Sequence, residues 1–208
     1  MATPPIEVSP LRRVITATNG QTEKGVFSQH LSETVPFTGF PVPPGKPPTT
    51  AYALAYATDT FPVTGLSPTS SATPEASANT DKKSYSTKLE NPQPLPDPMG
   101  TTCVVLEVPA GHDVPMHRTT TVDYGVVLDG VTELVLDSGE RKTLKKGDVF
   151  VQRGTAHSWR NLTSEEGENG GRLRIFFVFL SADPVKVEGG EELGQELSMP
   201  YVSLQSSR

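Results

Sequence analysis

Between residues 101 and 182, apolar runs of single-strand length alternate with turn residues about every ten positions. Thr102 to Val108 ends at Pro109-Ala110-Gly111. Tyr124 to Leu128 ends at Asp129-Gly130, and Val131 to Leu136 ends at Asp137-Ser138-Gly139. Arg141 to Leu144 then stops at Lys145-Lys146-Gly147-Asp148, Val149 to Gln152 stops at Gly154, and Leu173 to Leu180 closes the set. Runs this short, separated by residues that favour reversal, do not make helices. They predict an all-β sandwich or barrel over residues 101–182.

The rest of the chain is leaner. Glycine and proline number 18 and 20 of 208 residues, which leaves little room for helix. Residues 1–100 read as an N-terminal extension packed on the barrel. Its first feature is a hairpin over 11–28, with Thr18-Asn19-Gly20-Gln21 as the turn. Pro41 to Pro48 cannot hold a helix, because each proline removes an amide donor. Ala51 to Ala57 is one further strand. The Ser/Thr/Pro-rich stretch 66–90 offers too little apolar surface to offset ordering and reads as a mobile loop, either a plain spacer or a lid over a substrate. Residues 183–208 form a tail, acidic first and β-like at Tyr201 to Leu204.

Charge and cysteine count narrow the function. A net charge of −6 without a Lys/Arg block argues against nucleic acid and anionic membranes as partners. Cys103 is the only cysteine, so neither a disulfide framework nor a thiolate metal site is available. No run of apolar residues is long enough to span a bilayer, and Met1 to Glu7 shows no basic-then-apolar leader, so a cytoplasmic protein is expected. The Asn161-Leu162-Thr163 glycosylation triplet is then a coincidence.

Only four histidines are present: His30, His112, His117 and His157. If 117–124 is extended, His117, Thr119 and Asp123 share one face unless a bulge shifts the parity. Two imidazoles and a carboxylate converging inside a barrel would match a facial metal triad with open positions. Asp123 could instead pair with Arg118 or Arg153, and His117 could be a hydrogen-bonded core residue. His30 and His112 have no visible partner and receive no role.

The segments Gly111 to Gly130 and Gly147 to Asn161 resemble the two motifs of the cupin superfamily. Gly111, His117, Asp123 and Gly130 match the first motif, and Gly147, Gly154, His157 and Asn161 match the second. The details resemble small single-domain cupins, some of which serve natural-product pathways in fungi and bacteria. The resemblance implies a double-stranded β-helix, or jelly roll, enclosing one small-molecule site. The chain departs from the family pattern in three places. Thr119 stands where a second histidine is usual, Asp123 where a glutamate is usual, and the second motif is one residue short and lacks its proline.

His117, Asp123 and His157 are accordingly expected to hold a divalent ion (Fe, Mn, Ni or Zn) or to work without metal. His117 or His157 would then act as general base held by Asp123, with Arg153 or Tyr124 supporting an oxyanion. Thr119, Gln152 and Trp159 would line the substrate pocket. The expected chemistry is proton transfer next to a carbonyl, giving dehydration, decarboxylation or isomerisation, so a lyase or isomerase. An Fe(II) dioxygenase and a non-catalytic small-molecule binder are the alternatives. A homodimer is expected, because sheet edges are commonly covered by a second subunit.

Overall fold

A computed structural model describes residues 9–40, 50–73, 75–91, 95, 100–166 and 169–197. The N-terminal segment forms β1 (Leu11–Arg12), β2 (Thr16–Thr18), β3 (Gly25–Phe27), β4 (Thr34–Val35) and β5 (Thr38–Gly39). β6 (Ala51–Thr58) and the helix α1 (Thr80–Glu90) follow. The main body comprises β7 (Thr101–Val108), β8 (Asp113–Arg118), β9 (Thr121–Asp129), β10 (Val131–Leu136), β11 (Arg141–Lys145), β12 (Val149–Arg153), β13 (His157–Asn161) and β14 (Leu173–Ser181). Short strands β15 (Val185–Lys186), β16 (Glu192–Leu193) and β17 (Glu196–Leu197) complete the described chain.

The main strands form two antiparallel sheets, ordered β12-β9-β14-β7-β6-β5 and β11-β10-β13-β8-β17. Their inner faces enclose one apolar core that includes Val104, Leu106, Val127, Phe150, Trp159, Ile175 and Phe177. This is the expected double-stranded β-helix. The turns form where the glycines predict them. Gly130, for example, takes φ +86°, and a Cβ there would lie 2.5 Å from Thr163 Oγ1, so this turn excludes a side chain.

The barrel is larger than residues 101–182. β6 pairs with β7 from Ala51↔Glu107 to Thr58↔Thr101, so residues 51–58 belong to the six-stranded sheet rather than to an appended extension. The hairpin forms over β2 and β3 alone. Leu11 and Arg12 pair instead with Val35 and Thr34 of β4. The mobile-loop reading of 66–90 is corrected by α1, which occupies residues 80–90. Its anchor is Tyr85, fully buried, whose hydroxyl donates to the Leu54 carbonyl (2.6 Å) and accepts from Arg13 Nη1 (2.5 Å). Tyr56 donates to Asp81 Oδ2 (2.6 Å) from β6. Tertiary contacts, not helix propensity or amphipathic pattern, hold this helix. Pro41 to Pro48 and Tyr201 to Leu204 lie outside the described residues.

Candidate active site

A bulge decides what β8 presents inward. β13 and β8 pair at His157↔His117 and at Trp159↔Val114, so β8 carries one extra residue between the two pairs. Val114 and His117 consequently face the interior together, although they are three apart. Beyond the bulge, Thr119, Thr121 and Asp123 continue inward and are all buried.

His117 and His157 meet ring against ring, centroids 4.3 Å apart. Backbone carbonyls orient both. His117 Nδ1 lies 2.7 Å from the Pro115 carbonyl, and His157 Nδ1 lies 2.9 Å from that of Thr155. A carbonyl can only accept, so in each neutral ring Nδ1 carries the proton and Nε2 keeps its lone pair. Burial lowers both imidazole pKa values. His157 falls to about 4, helped by the neighbouring His117. The pair is therefore neutral near pH 7, with two unprotonated Nε2 lone pairs in one place.

Asp123 faces the interior from the opposite sheet, fully buried. Thr121 Oγ1 donates to its Oδ1 (2.5 Å) and lies 2.8 Å from Thr119 Oγ1. Burial lifts the Asp123 carboxyl to about 7, and the Thr121 hydrogen bond only partly opposes this. Gln152 stands directly across from Asp123 on β12. Its Nε2 donates to the Thr155 carbonyl (3.2 Å), the same oxygen that fixes His157. Gln152 thus helps set the imidazole through one shared backbone atom. Trp159 packs edge-on to His157, centroids 5.9 Å apart, and closes the apolar wall with Phe150 and Phe177.

Two expected site residues lie elsewhere. Tyr124 and Arg153 alternate with Asp123 and Gln152, so both point out of the barrel and are exposed. Arg153 lines a surface cleft of about 190 Å³ with Asp183 and Pro184. Neither can support an oxyanion at the histidines. The strand alternation that places Asp123 inward forces this outcome. Arg118 does not pair with Asp123 either. It lies 3.5 Å from Asp137 and from Glu196.

The expected metal triad is not assembled. Among the described residues no group of three or more His, Cys, Asp or Glu side chains is placed to hold a metal ion. The histidines supply two nitrogen donors, while Asp123 is engaged with Thr121 on the other sheet. The Thr119 hydroxyl, in the place of a usual ligand, is likewise turned to Thr121. This donor set is one ligand short of a facial triad.

Several contributors are invisible to residue-by-residue reading. Pro115 and Thr155 act through backbone carbonyls, which leave no side-chain signature. Thr121 could have been found from the alternation Thr119, Thr121, Asp123. Asn161, matched in the second motif, is structural. Its Nδ2 lies 3.0, 2.9 and 2.8 Å from the carbonyls of Val108, Pro109 and Gly171, which ties three segments together.

Comparison with known proteins identifies the family. The cupin domain family matches residues 104–168. The oryzines biosynthesis cluster protein J of Aspergillus oryzae is 36% identical over 146 residues, covering 70% of this chain and 72% of that protein. The chain belongs to the cupin superfamily. This cupin is also 41% identical over 138 residues to the phomopsin biosynthesis cluster protein C' of Diaporthe leptostromiformis, covering 66% of this chain and 65% of that relative's length. A cupin-domain-containing oxidoreductase of Neurospora crassa is 39% identical over 94 residues, 45% of this chain and 46% of that one. Its relatives thus include fungal biosynthesis-cluster proteins and a fungal cupin-domain-containing oxidoreductase. No helix among the described residues is long and apolar enough to cross a membrane.

Proposed function

We propose that this cupin is a small-molecule enzyme of natural-product biosynthesis that moves a proton next to a carbonyl, in the lyase or isomerase class. The observation that carries this reading is the His117–His157 pair: a half-buried and a buried imidazole, both neutral, each with Nδ1 fixed on a carbonyl and an unprotonated Nε2. One Nε2 takes the proton from a carbon acid bound in the apolar interior, and its depressed pKa favours prompt return of that proton to the product. Asp123, protonated up to about pH 7, can return a proton or donate a hydrogen bond to a developing oxyanion. Gln152 keeps His157 oriented, and Trp159 excludes water from the pair. The relatives from biosynthesis clusters support the pathway setting.

A second reading, an oxidoreductase, is favoured by the similarity to the Neurospora cupin-domain-containing oxidoreductase. One experiment separates the two. The metabolite that accumulates when the gene is deleted is incubated with purified protein in D₂O, with chelator or with added Fe(II), while oxygen is monitored. Proton-transfer chemistry predicts deuterium at the carbon next to the carbonyl, turnover in chelator, and loss of turnover in His117→Ala and His157→Ala. Turnover only with Fe(II), with one O₂ consumed per product, overturns it in favour of the oxidoreductase. Saturable binding without any product change identifies a binder instead.

A further inference from the structure

β5 pairs with β6 only at Ala51 and Tyr52. Where β6 then passes the N-terminal segment and α1, the three elements leave a cavity of about 340 Å³ between them. That volume lies within the range of small-molecule sites, roughly 300–1,000 Å³. Its walls are largely apolar. Leu31 and Val35 come from the N-terminal segment, Leu54 from β6 and Leu89 from α1, with Leu95 beside them. The cavity is separate from the site described above. His117, His157 and Asp123 take no part in its lining, and β6 lies three strands along the sheet from the β9 strand that carries Asp123.

Two polar groups in this lining lack the partner that their chemistry calls for. Arg13 is half-buried, and its guanidinium forms no ion pair among the described residues. Its partners are all uncharged: the Ala55 carbonyl (3.3 Å), the Tyr85 hydroxyl (2.5 Å), the Ser32 carbonyl, and the Tyr85 ring, 5.1 Å from Cζ. Its Nε is buried with no hydrogen-bond partner. A charge held away from water is ordinarily paired, so an unpaired guanidinium beside an apolar cavity calls for an anion. The Tyr52 hydroxyl, whose pKa burial raises, makes no hydrogen bond among the described residues and stays a donor. The other charges in the lining are accounted for. Lys88 Nζ lies 2.7 Å from Asp59 Oδ1, and Glu90 is exposed to water.

We propose that this cavity is a second small-molecule site, independent of the histidine pair, and that it takes a small organic acid. The carboxylate pairs with Arg13 and accepts a hydrogen bond from the Tyr52 hydroxyl, while the apolar body lies among the leucines. One guanidinium fixes the charge of the ligand. A monoanion balances it, whereas a phosphate dianion would leave surplus charge against apolar walls. The planar donor array of arginine also matches the two oxygens of a carboxylate. The leucines fix the other half of the ligand, because a short hydrophilic acid would leave them facing water.

The test is isothermal titration calorimetry of the full chain with octanoate, octan-1-ol and acetate, with circular dichroism to verify folding. Octanoate is expected to bind saturably, a single molecule per chain, and both octan-1-ol and acetate at least about tenfold more weakly. Arg13→Gln is expected to weaken octanoate at least about tenfold, since the charge-assisted contact is lost. Tyr52→Phe removes a hydroxyl that no protein group uses, so this variant folds even if Arg13→Gln does not, and it is expected to weaken octanoate roughly three- to tenfold. His117→Ala is expected to leave octanoate binding within about twofold of wild type, because the two sites share no residue. A wild-type chain that takes up no octanoate overturns the proposal, as does octan-1-ol bound as tightly as octanoate or affinity untouched by Tyr52→Phe. Octanoate binding lost in His117→Ala overturns it too, by placing the acid in the barrel interior.

Discussion

Asp123 is a residue whose burial makes stability depend on pH. Its carboxyl, raised by burial to about 7 from an ordinary 3.8, keeps in the folded chain a proton that the unfolded chain releases near pH 4. Its contribution to stability is therefore full below about pH 4 and is lost as pH climbs through about 7. His157, lowered to about 4 from 6.5, acts in the opposite sense: its folded form gains stability as pH rises between those values. Asp123→Asn removes the first dependence and keeps an acceptor for Thr121. We expect the variant to match wild type near pH 4 and to exceed it by up to roughly 4 kcal/mol at pH 8. Urea midpoints at the two pH values check this, and an equal difference at both would refute it. Asn161→Ala should cost about 2–4 kcal/mol at any pH, because it strips the partner shared by three carbonyls; urea denaturation reads it directly.

At the scale of elements, α1 shows how little local sequence is needed when a docking site exists. Thr80 to Glu90 contains no apolar stripe, and Tyr85 is its principal buried ring. The Tyr85 hydroxyl also satisfies the Leu54 carbonyl along the outer edge of β6, while Arg13 Nη1 lies 3.3 Å from the Ala55 carbonyl. Helix and N-terminal segment together protect that strand edge from pairing with another chain. Tyr85→Phe keeps the ring and loses both hydrogen bonds. We expect a cost of about 1–2 kcal/mol and faster limited proteolysis within 66–90, with the barrel strands unaffected. An unchanged cleavage rate would mean that ring burial alone holds the helix.

For the whole molecule, the two large sheets and the peripheral two-stranded pieces differ in how they are held. β9, β14 and β7 lie in the middle of the six-stranded sheet, bonded on both sides over a shared core. β2 and β3 form an isolated pair, with Phe27 67% exposed. Native-state hydrogen exchange should therefore protect amides of β14 and β7 to the global limit, while those of β2 and β3 exchange by local opening. Equal protection in both regions would show that the N-terminal segment folds as part of the barrel unit.

The strands of residues 101–182, their glycine turns and the family motifs could all be read from the sequence, because each is written in local spacing. His117, Asp123 and His157 could likewise be named as inward-facing. Whether they work together could not. A bulge on β8 sets His117 against His157, while the hydrogen bond from Thr121, two residues back on the same strand, engages Asp123 on its own sheet. Tyr124 and Arg153 stood next to the right residues in sequence, yet strand alternation turned them outward. α1 and the place of β6 in the main sheet rest on long-range contacts that no window of sequence contains. Short-range spacing determined which residues alternate and where the chain turns. Tertiary structure decided which faces meet, because register, bulges and burial depend on partners far away along the chain.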